Sequence, residues 1–119
     1  GCGLTCWLQQ ESQINDIIAV TGSAPAYFFY FMQAMQQVAQ ELGFDETQAK
    51  AMVAQTALGA ATMANQSDLS FEALRAQVTS KGGTTHEAIE TFRARELEQT
   101  VAAAMQAAIA RAEVMAGTL

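Results

Sequence analysis

Seven consecutive apolar residues, AYFFYFM at 26–32, constrain this chain more than any other stretch in it. Ser23 and Pro25 stand just ahead of them and read as the cap and first turn of a helix, where proline's missing N–H is not needed. Wound into that helix, Tyr27, Phe28, Phe29, Tyr30, Phe31 and Met32 point in every direction around the axis. A helix that is apolar all round must be buried all round. A chain of 119 residues makes one domain with a single core. In a domain that small, a partner chain is the expected source of the extra cover. The run is too short to span a membrane, which takes about 18 to 20 apolar residues.

The rest of the pattern is also helical. After Met35 it becomes amphipathic through Val38, Ala39 and Leu42, and Gly43 suits a C-cap. Asp45 opens the next helix, with Gln48 placed as in a capping box. That helix runs to about Asn65 and is rich in residues that permit close helix approach, such as Ala54, Ala57, Ala60 and Ala61. Ser70 caps a short helix, FEALRAQV. A glycine loop follows, and Thr84 and Glu87 stand at T-x-x-E spacing before HEAIETFRAR. The last helix covers roughly 96–116, with Leu97, Val101, Met105, Ala108, Ala112 and Met115 in one stripe, and Gly117 closes it. Residues 10–19 suit a short helix. The expected fold is all-α, with five or six helices. Only GCGLTCWLQ at the start lacks the helical period. LTCWL reads as a strand with nothing in this chain to pair with.

Charge and side-chain inventory exclude several functions. Twelve acidic residues against six basic give a net charge of −6, the opposite of what phosphate-backbone binding needs, so no nucleic-acid partner is expected. Cys2 and Cys6 with one histidine cannot build a convincing metal site. Reduced thiols in a cytoplasmic protein are the expected state, and no membrane partner is expected.

One loop has chemistry. In TSKGGTTHEAIE, 79–90, two glycines lie among hydroxyl residues directly before a helix start. Glycines bare the backbone N–H groups, and the first N–H groups of a helix lack internal partners at the positive end of its dipole. Such a turn is either a plain cap or a site for a carboxylate or phosphate. It matches neither the P-loop nor the G-x-G-x-x-G pattern. Lys81 suits either a solvated position or attraction of an anion. His86 reads as a surface histidine in the first helical turn.

Three segments together are recognisable. TGSAPAYFFYFMQAM at 21–35 resembles the S-G-S-[GA]-P-A-Y helix of pyrroline-5-carboxylate reductases. AQTALGAATM at 54–63 is similar to that family's A-Q-x-x-x-G-[AS]-A-x-[ML] segment. VTSKGGTTHEAIETF at 78–92 resembles its V-[ST]-S-P-G-G-[TA]-T-x-x-A-[IL] signature. The order and spacing match, over about residues 14–92. The resemblance implies a helical dimerisation domain of the 6-phosphogluconate-dehydrogenase C-terminal-like type, forming an intertwined homodimer that in this family often assembles further into a decamer. Residues 1–12 would be the link and last strand of a missing Rossmann domain, and 13–119 the helical dimerisation and substrate-binding domain.

The resemblance further implies the last step of proline biosynthesis, reduction of 1-pyrroline-5-carboxylate to L-proline. NADPH (or NADH) would be held by the missing domain, with no cofactor or metal bound in this part. By motif position, Ser80, Gly82, Gly83 and Thr84 would hold the carboxylate of the cyclic imino acid. Thr85 would place its hydroxyl near the ring nitrogen as the catalytic residue. The isolated part would be inactive. Lys81 departs from the family's proline, and RAREL at 93–97 departs from a link that usually contains glycine. The competing expectation is a free-standing helical oligomerisation module without catalysis, which a start codon directly before Gly1 would favour. If a partner covers the aromatic helix, light scattering at micromolar concentration shows no monomer; a stable, soluble monomer would contradict that cover.

Overall fold

A computed structural model describes residues 13–117. The expectations for LTCWL, for Cys2 and Cys6 and for the link at 1–12 lie outside the described residues. Within them the elements are α1 (Ile14–Ile17), a π-turn (Ile18–Gly22), α2 (Ala24–Glu41), α3 (Glu46–Gln66), α4 (Phe71–Gln77), α5 (Thr84–Ala94) and α6 (Leu97–Met115). No described residue lies in a strand, which agrees with the all-α expectation.

The start of α2 differs from the expected cap. Ser23 has helical backbone angles, φ −88° and ψ −24°, whereas an N-cap residue is normally extended. Its N–H donates to the Ile18 carbonyl at 2.7 Å, a bond reaching back five residues, as in a π-helix. The chain therefore runs from α1 through the π-turn into α2 with no exposed helix start to cap. The Thr21 hydroxyl donates to the Ile17 carbonyl at 2.9 Å. Pro25 falls just where the ladder changes register, so its missing N–H costs little.

Other helix ends follow their local chemistry as expected. At Asp45 both halves of the capping box form: the Gln48 N–H donates to the Asp45 carboxylate at 2.8 Å, and the Gln48 side chain accepts from the Asp45 N–H at 3.1 Å. The Ser70 hydroxyl accepts from the Ala73 N–H at 3.1 Å. Helix α2 closes in a Schellman motif around Gly43, φ 110°. There the Phe44 N–H donates to the Ala39 carbonyl and the Gly43 N–H to the Gln40 carbonyl, at 3.2 and 3.0 Å.

The chain divides into two compact units, Gly1–Phe28 with Glu96–Leu119, and Phe29–Arg95. In the first, α6 packs on α1 and on the π-turn, and Ala19 is completely buried. The half-buried residues midway along α6 are Met105, Ala108, Ile109 and Ala112. Of the expected stripe, Leu97, Val101 and Met115 remain exposed. In the second unit α2 and α3 run antiparallel, tied where the Gln36 amide donates to the Glu46 carbonyl at 3.3 Å. A shallow groove between them is lined by Phe29, Met32, Gln33, Gln36, Lys50, Val53 and Ala54.

Burial is sparse. Among the described residues the buried apolar ones are Ala19, Ala24, Ala39, Ala49 and Val53, and no large side chain is fully buried. Phe28, Phe29 and Tyr30 are 68%, 66% and 76% exposed. Full burial of one such side chain is worth about 1.5–3 kcal/mol, and the chain alone leaves most of this unrealised. Among the described residues no helix is long and apolar enough to cross a membrane.

Between α5 and α6 stands Glu96, the one described non-glycine residue with positive φ, at φ 61° and ψ 45°. It follows Arg95, the C-cap of α5, and its own carbonyl accepts the first α6 bond from the Thr100 N–H at 3.0 Å. This is the position where the expected link glycine would relieve strain. The turn forms without glycine, at a steric cost to Glu96 of about 1–2 kcal/mol. Glu96→Gly is therefore expected to raise the unfolding free energy by about 1 kcal/mol, the steric relief exceeding glycine's own entropy cost. Urea unfolding checks it, and an unchanged midpoint would rule out strain at this residue.

Candidate functional site: the glycine turn before helix α5

The loop at 79–83 is built from the end of α4 and the start of α5. Thr79 ends α4 by donating its hydroxyl to the Arg75 carbonyl at 2.6 Å. Residues Ser80 to Gly83 then form a β-turn, closed by the Gly83 N–H donating to the Ser80 carbonyl at 3.0 Å. Gly82, at the third position, has φ +77°. Positive φ there marks a type II turn, which favours glycine at that position and proline at the second. Lys81 occupies the second position. The residue that departs from the family pattern therefore sits where proline would pre-set the turn.

Helix α5 starts one residue earlier than the T-x-x-E spacing suggests. Its N-cap is Gly83, extended at φ −86° and ψ 179°, and no side chain caps it. The first intrahelical bond runs from the Glu87 N–H to the Gly83 carbonyl at 3.2 Å. Thr84 is thus the first helical residue, and the expected Thr84–Glu87 capping box does not form. A threonine inside the first turn has helical angles and cannot turn its hydroxyl onto the N–H groups ahead of it. The consequence is chemical. The N–H groups of Thr84, Thr85 and His86 have no partner within the helix and none from a cap, at the positive end of the dipole.

Gly83 contributes by having no side chain. A Cβ built there would meet the Ser80 hydroxyl oxygen in hard contact and the Ser80 carbonyl at 3.2 Å. Ser80, Lys81, Gly82, Thr84 and Thr85 are exposed, and Gly83 and His86 are half-buried. No described residue hydrogen-bonds the hydroxyls of Thr84 or Thr85, whereas Thr91, two turns on, returns its hydroxyl to the Glu87 carbonyl at 2.9 Å. The five residues expected to form the site thus fall within one stretch, 80–85, interrupted only by Lys81, and all but half-buried Gly83 are exposed. The Gly83 N–H is engaged in the turn, while those of Thr84 and Thr85 are not. The N–H of His86 joins them, a donor the sequence reading did not name; the glycine cap is the signal that exposes it.

Helix α5 is steadied on α2 by Phe92 and Phe31, whose ring centroids lie 5.8 Å apart at a 37° tilt, within the favoured range for aromatic pairs. Among the described residues no group of three His, Cys, Asp or Glu side chains could hold a metal ion. The exposed turn, three free N–H groups and two hydroxyls suit a small anion with an adjacent hydrogen-bonding atom.

Comparison with known proteins bears on the same region. A family profile described as pyrroline-5-carboxylate reductase dimerisation matches residues 11–115. The chain is 55% identical over 114 residues to a pyrroline-5-carboxylate reductase of Vibrio alginolyticus, covering 95% of this chain and 42% of that protein. It is 46% identical over 114 residues to the reductase of Pasteurella multocida, with the same coverage. Among solved structures, a pyrroline-5-carboxylate reductase from Coxiella burnetii superimposes with a TM-score of 0.86 at 42% identity, over 89% of this chain and 39% of that one. A Plasmodium falciparum pyrroline carboxylate reductase with NADP bound gives 0.85 at 25% identity, over 89% and 40%. The chain thus spans about two-fifths of the curated relatives it matches.

The turn geometry yields its own check. Lys81→Pro is expected to stabilise the protein by about 0.4–1 kcal/mol, because proline suits the second position of a type II turn and no described bond uses the Lys81 N–H. Urea unfolding measures this, and a loss of stability would argue against a type II turn.

Proposed function

The chain belongs to the pyrroline-5-carboxylate reductase family, in the region of its dimerisation domain, and on that premise we propose that it is the dimerising, substrate-holding part of an enzyme that reduces 1-pyrroline-5-carboxylate to L-proline with NAD(P)H. The observation that carries the proposal is the uncapped start of α5, where a glycine turn leaves three N–H groups and two hydroxyls open.

In this reading the substrate carboxylate lies over the turn. Gly82 makes the turn possible. Gly83 keeps a Cβ away from the anion and holds Ser80 close. The backbone N–H groups of Thr84 and its neighbours donate to the carboxylate oxygens, and the helix dipole adds to their attraction. Lys81 adds a positive charge beside the turn in an otherwise acidic protein. With the carboxylate fixed, the ring can turn its nitrogen towards the Thr85 hydroxyl one residue further on. A hydrogen bond donated there orients the C=N bond, and the nitrogen takes the proton that makes it an amine from solvent as the carbon receives hydride.

The nicotinamide cofactor supplies the hydride that the imine carbon accepts. We assign binding of the dinucleotide to a part of the polypeptide outside this chain, which spans 42% of its Vibrio alginolyticus relative. This chain contributes orientation and electrostatics. We also propose a homodimer, with decamer assembly as a further level. The proposed reaction consumes reduced nicotinamide cofactor, which suits a cytoplasmic enzyme.

Thr85→Ala in the complete polypeptide is expected to lower kcat/KM at least tenfold, about the effect of one lost transition-state hydrogen bond, while oligomeric state stays as in the wild type. Steady-state kinetics on pyrroline-5-carboxylate check this; unchanged kcat/KM would remove Thr85 from the reaction.

A further inference from the structure

Helix α3 carries a face that its own chain does not use. Its buried seam is Ala49 and Val53, continued by half-buried Ala57 and Ala64. Roughly 100° round the helix lies a second stripe, Met52, Thr56, Gly59 and Met63, at the i, i+4, i+7, i+11 spacing of a single face. All four are exposed, Met52 by 43% and Met63 by 48%.

Three features of this stripe fit a dry protein contact. The Thr56 hydroxyl donates to the Met52 carbonyl at 2.8 Å, so its polar group is satisfied inside the helix and its methyl faces out. No charged residue occurs from Ala51 to Gln66, in a chain of net charge −6, so two copies can meet here without like-charge repulsion. Finally, Gly59 sits deep inside a 21-residue helix, where glycine is unfavourable relative to alanine. No described residue explains it, since among them a Cβ at Gly59 would meet no atom within 4 Å.

We propose that the Met52–Thr56–Gly59–Met63 stripe packs against α3 of a second copy of this chain, with Gly59 at the point of closest approach. The occupant is a second copy because the matching family profile is a dimerisation domain, and a two-fold interface uses the same patch on both partners. The stripe is self-complementary: the methionines are long knobs, and the glycine between them leaves a hollow. The inference rests on the proposed dimer and assigns its central contact.

The test compares Gly59→Ala, Gly59→Leu and Met63→Gln in the complete polypeptide, read by analytical ultracentrifugation and thermal unfolding. If α3 were free at this face, alanine would improve the helix, raise Tm by about 2 °C or more and leave the dimer intact. A helix lying against Gly59 reverses the sign. Gly59→Ala then lowers Tm and weakens dimerisation at least tenfold, and Gly59→Leu gives monomer at micromolar concentration. Met63→Gln, which strains nothing within the monomer, weakens dimerisation several-fold and keeps the comparison decisive if the leucine variant does not fold. A stabilised, fully dimeric Gly59→Ala overturns the inference. So does loss of stability in all three variants with the dimer constant unchanged, which would place another part of the polypeptide over this face. A monomeric wild type refutes the dimer itself; a dimeric wild type with silent variants refutes only the contact.

Discussion

Aromatic side chains that the other described residues leave uncovered govern the rest of the structure. The buried apolar positions among the described residues are four alanines and one valine, which remove little apolar surface from water per residue ordered. Ordering the backbone costs about 1–2 kcal/mol per residue, and a core of that composition cannot offset it. The missing stabilisation is held in residues such as Phe28, Phe29, Tyr30 and Phe71, all largely exposed. The apolar surface that the described residues leave in water is available to association with another surface. This is the physical content of a dimerisation domain, and it explains why small residues recur along the helices. Ala and Gly contribute little burial alone but let backbones approach closely enough for large side chains from elsewhere to fill the space.

The candidate site depends on a competition decided at one residue. A hydroxyl cap on α5 would have taken up an N–H group at the end of the helix and left a weaker anion site. With glycine as the cap, Thr84 moves into the first turn and the terminal N–H groups remain open. Gly82 permits the positive φ that makes the turn tight, and Gly83 gives Ser80 room to fold in. Each glycine carries a different part of the geometry. Glu96 is the counter-example: a residue other than glycine holds a left-handed conformation between the end of α5 and the start of α6.

Much of this was legible in residue order. Asp45 with Gln48, Ser70 and Gly43 act through neighbours a few residues away, so their patterns predicted their bonds. The glycine loop was legible as a turn ahead of a helix for the same reason, while the choice of five residues within it came from the resemblance. Ser23 and Thr84 were not, although both are common cap residues. Each stands beside an alternative that wins on grounds a cap rule does not contain: a π-turn that continues the helix past Ser23, and a glycine that takes the cap position ahead of Thr84. The α6 stripe was half legible. Periodicity marks which residues can share a face, but Met105, Ala108 and Ala112 become half-buried while Leu97, Val101 and Met115 do not.

Sequence alone determined the helical class, the uncoverable aromatic helix, most helix ends and the glycine loop, because these follow from side-chain chemistry and spacings of three or four residues. Tertiary structure decided the rest. It set Gly83 as the cap and left the N–H groups of α5 open. It placed Lys81 at the second position of the turn and the left-handed strain on Glu96. It also separated the face of α3 that its own chain buries from the face around Gly59 that it leaves bare. The reason is common to all of these. Each is an outcome of competition for one backbone group or one surface, and the winner depends on which atoms are close in space as well as in sequence.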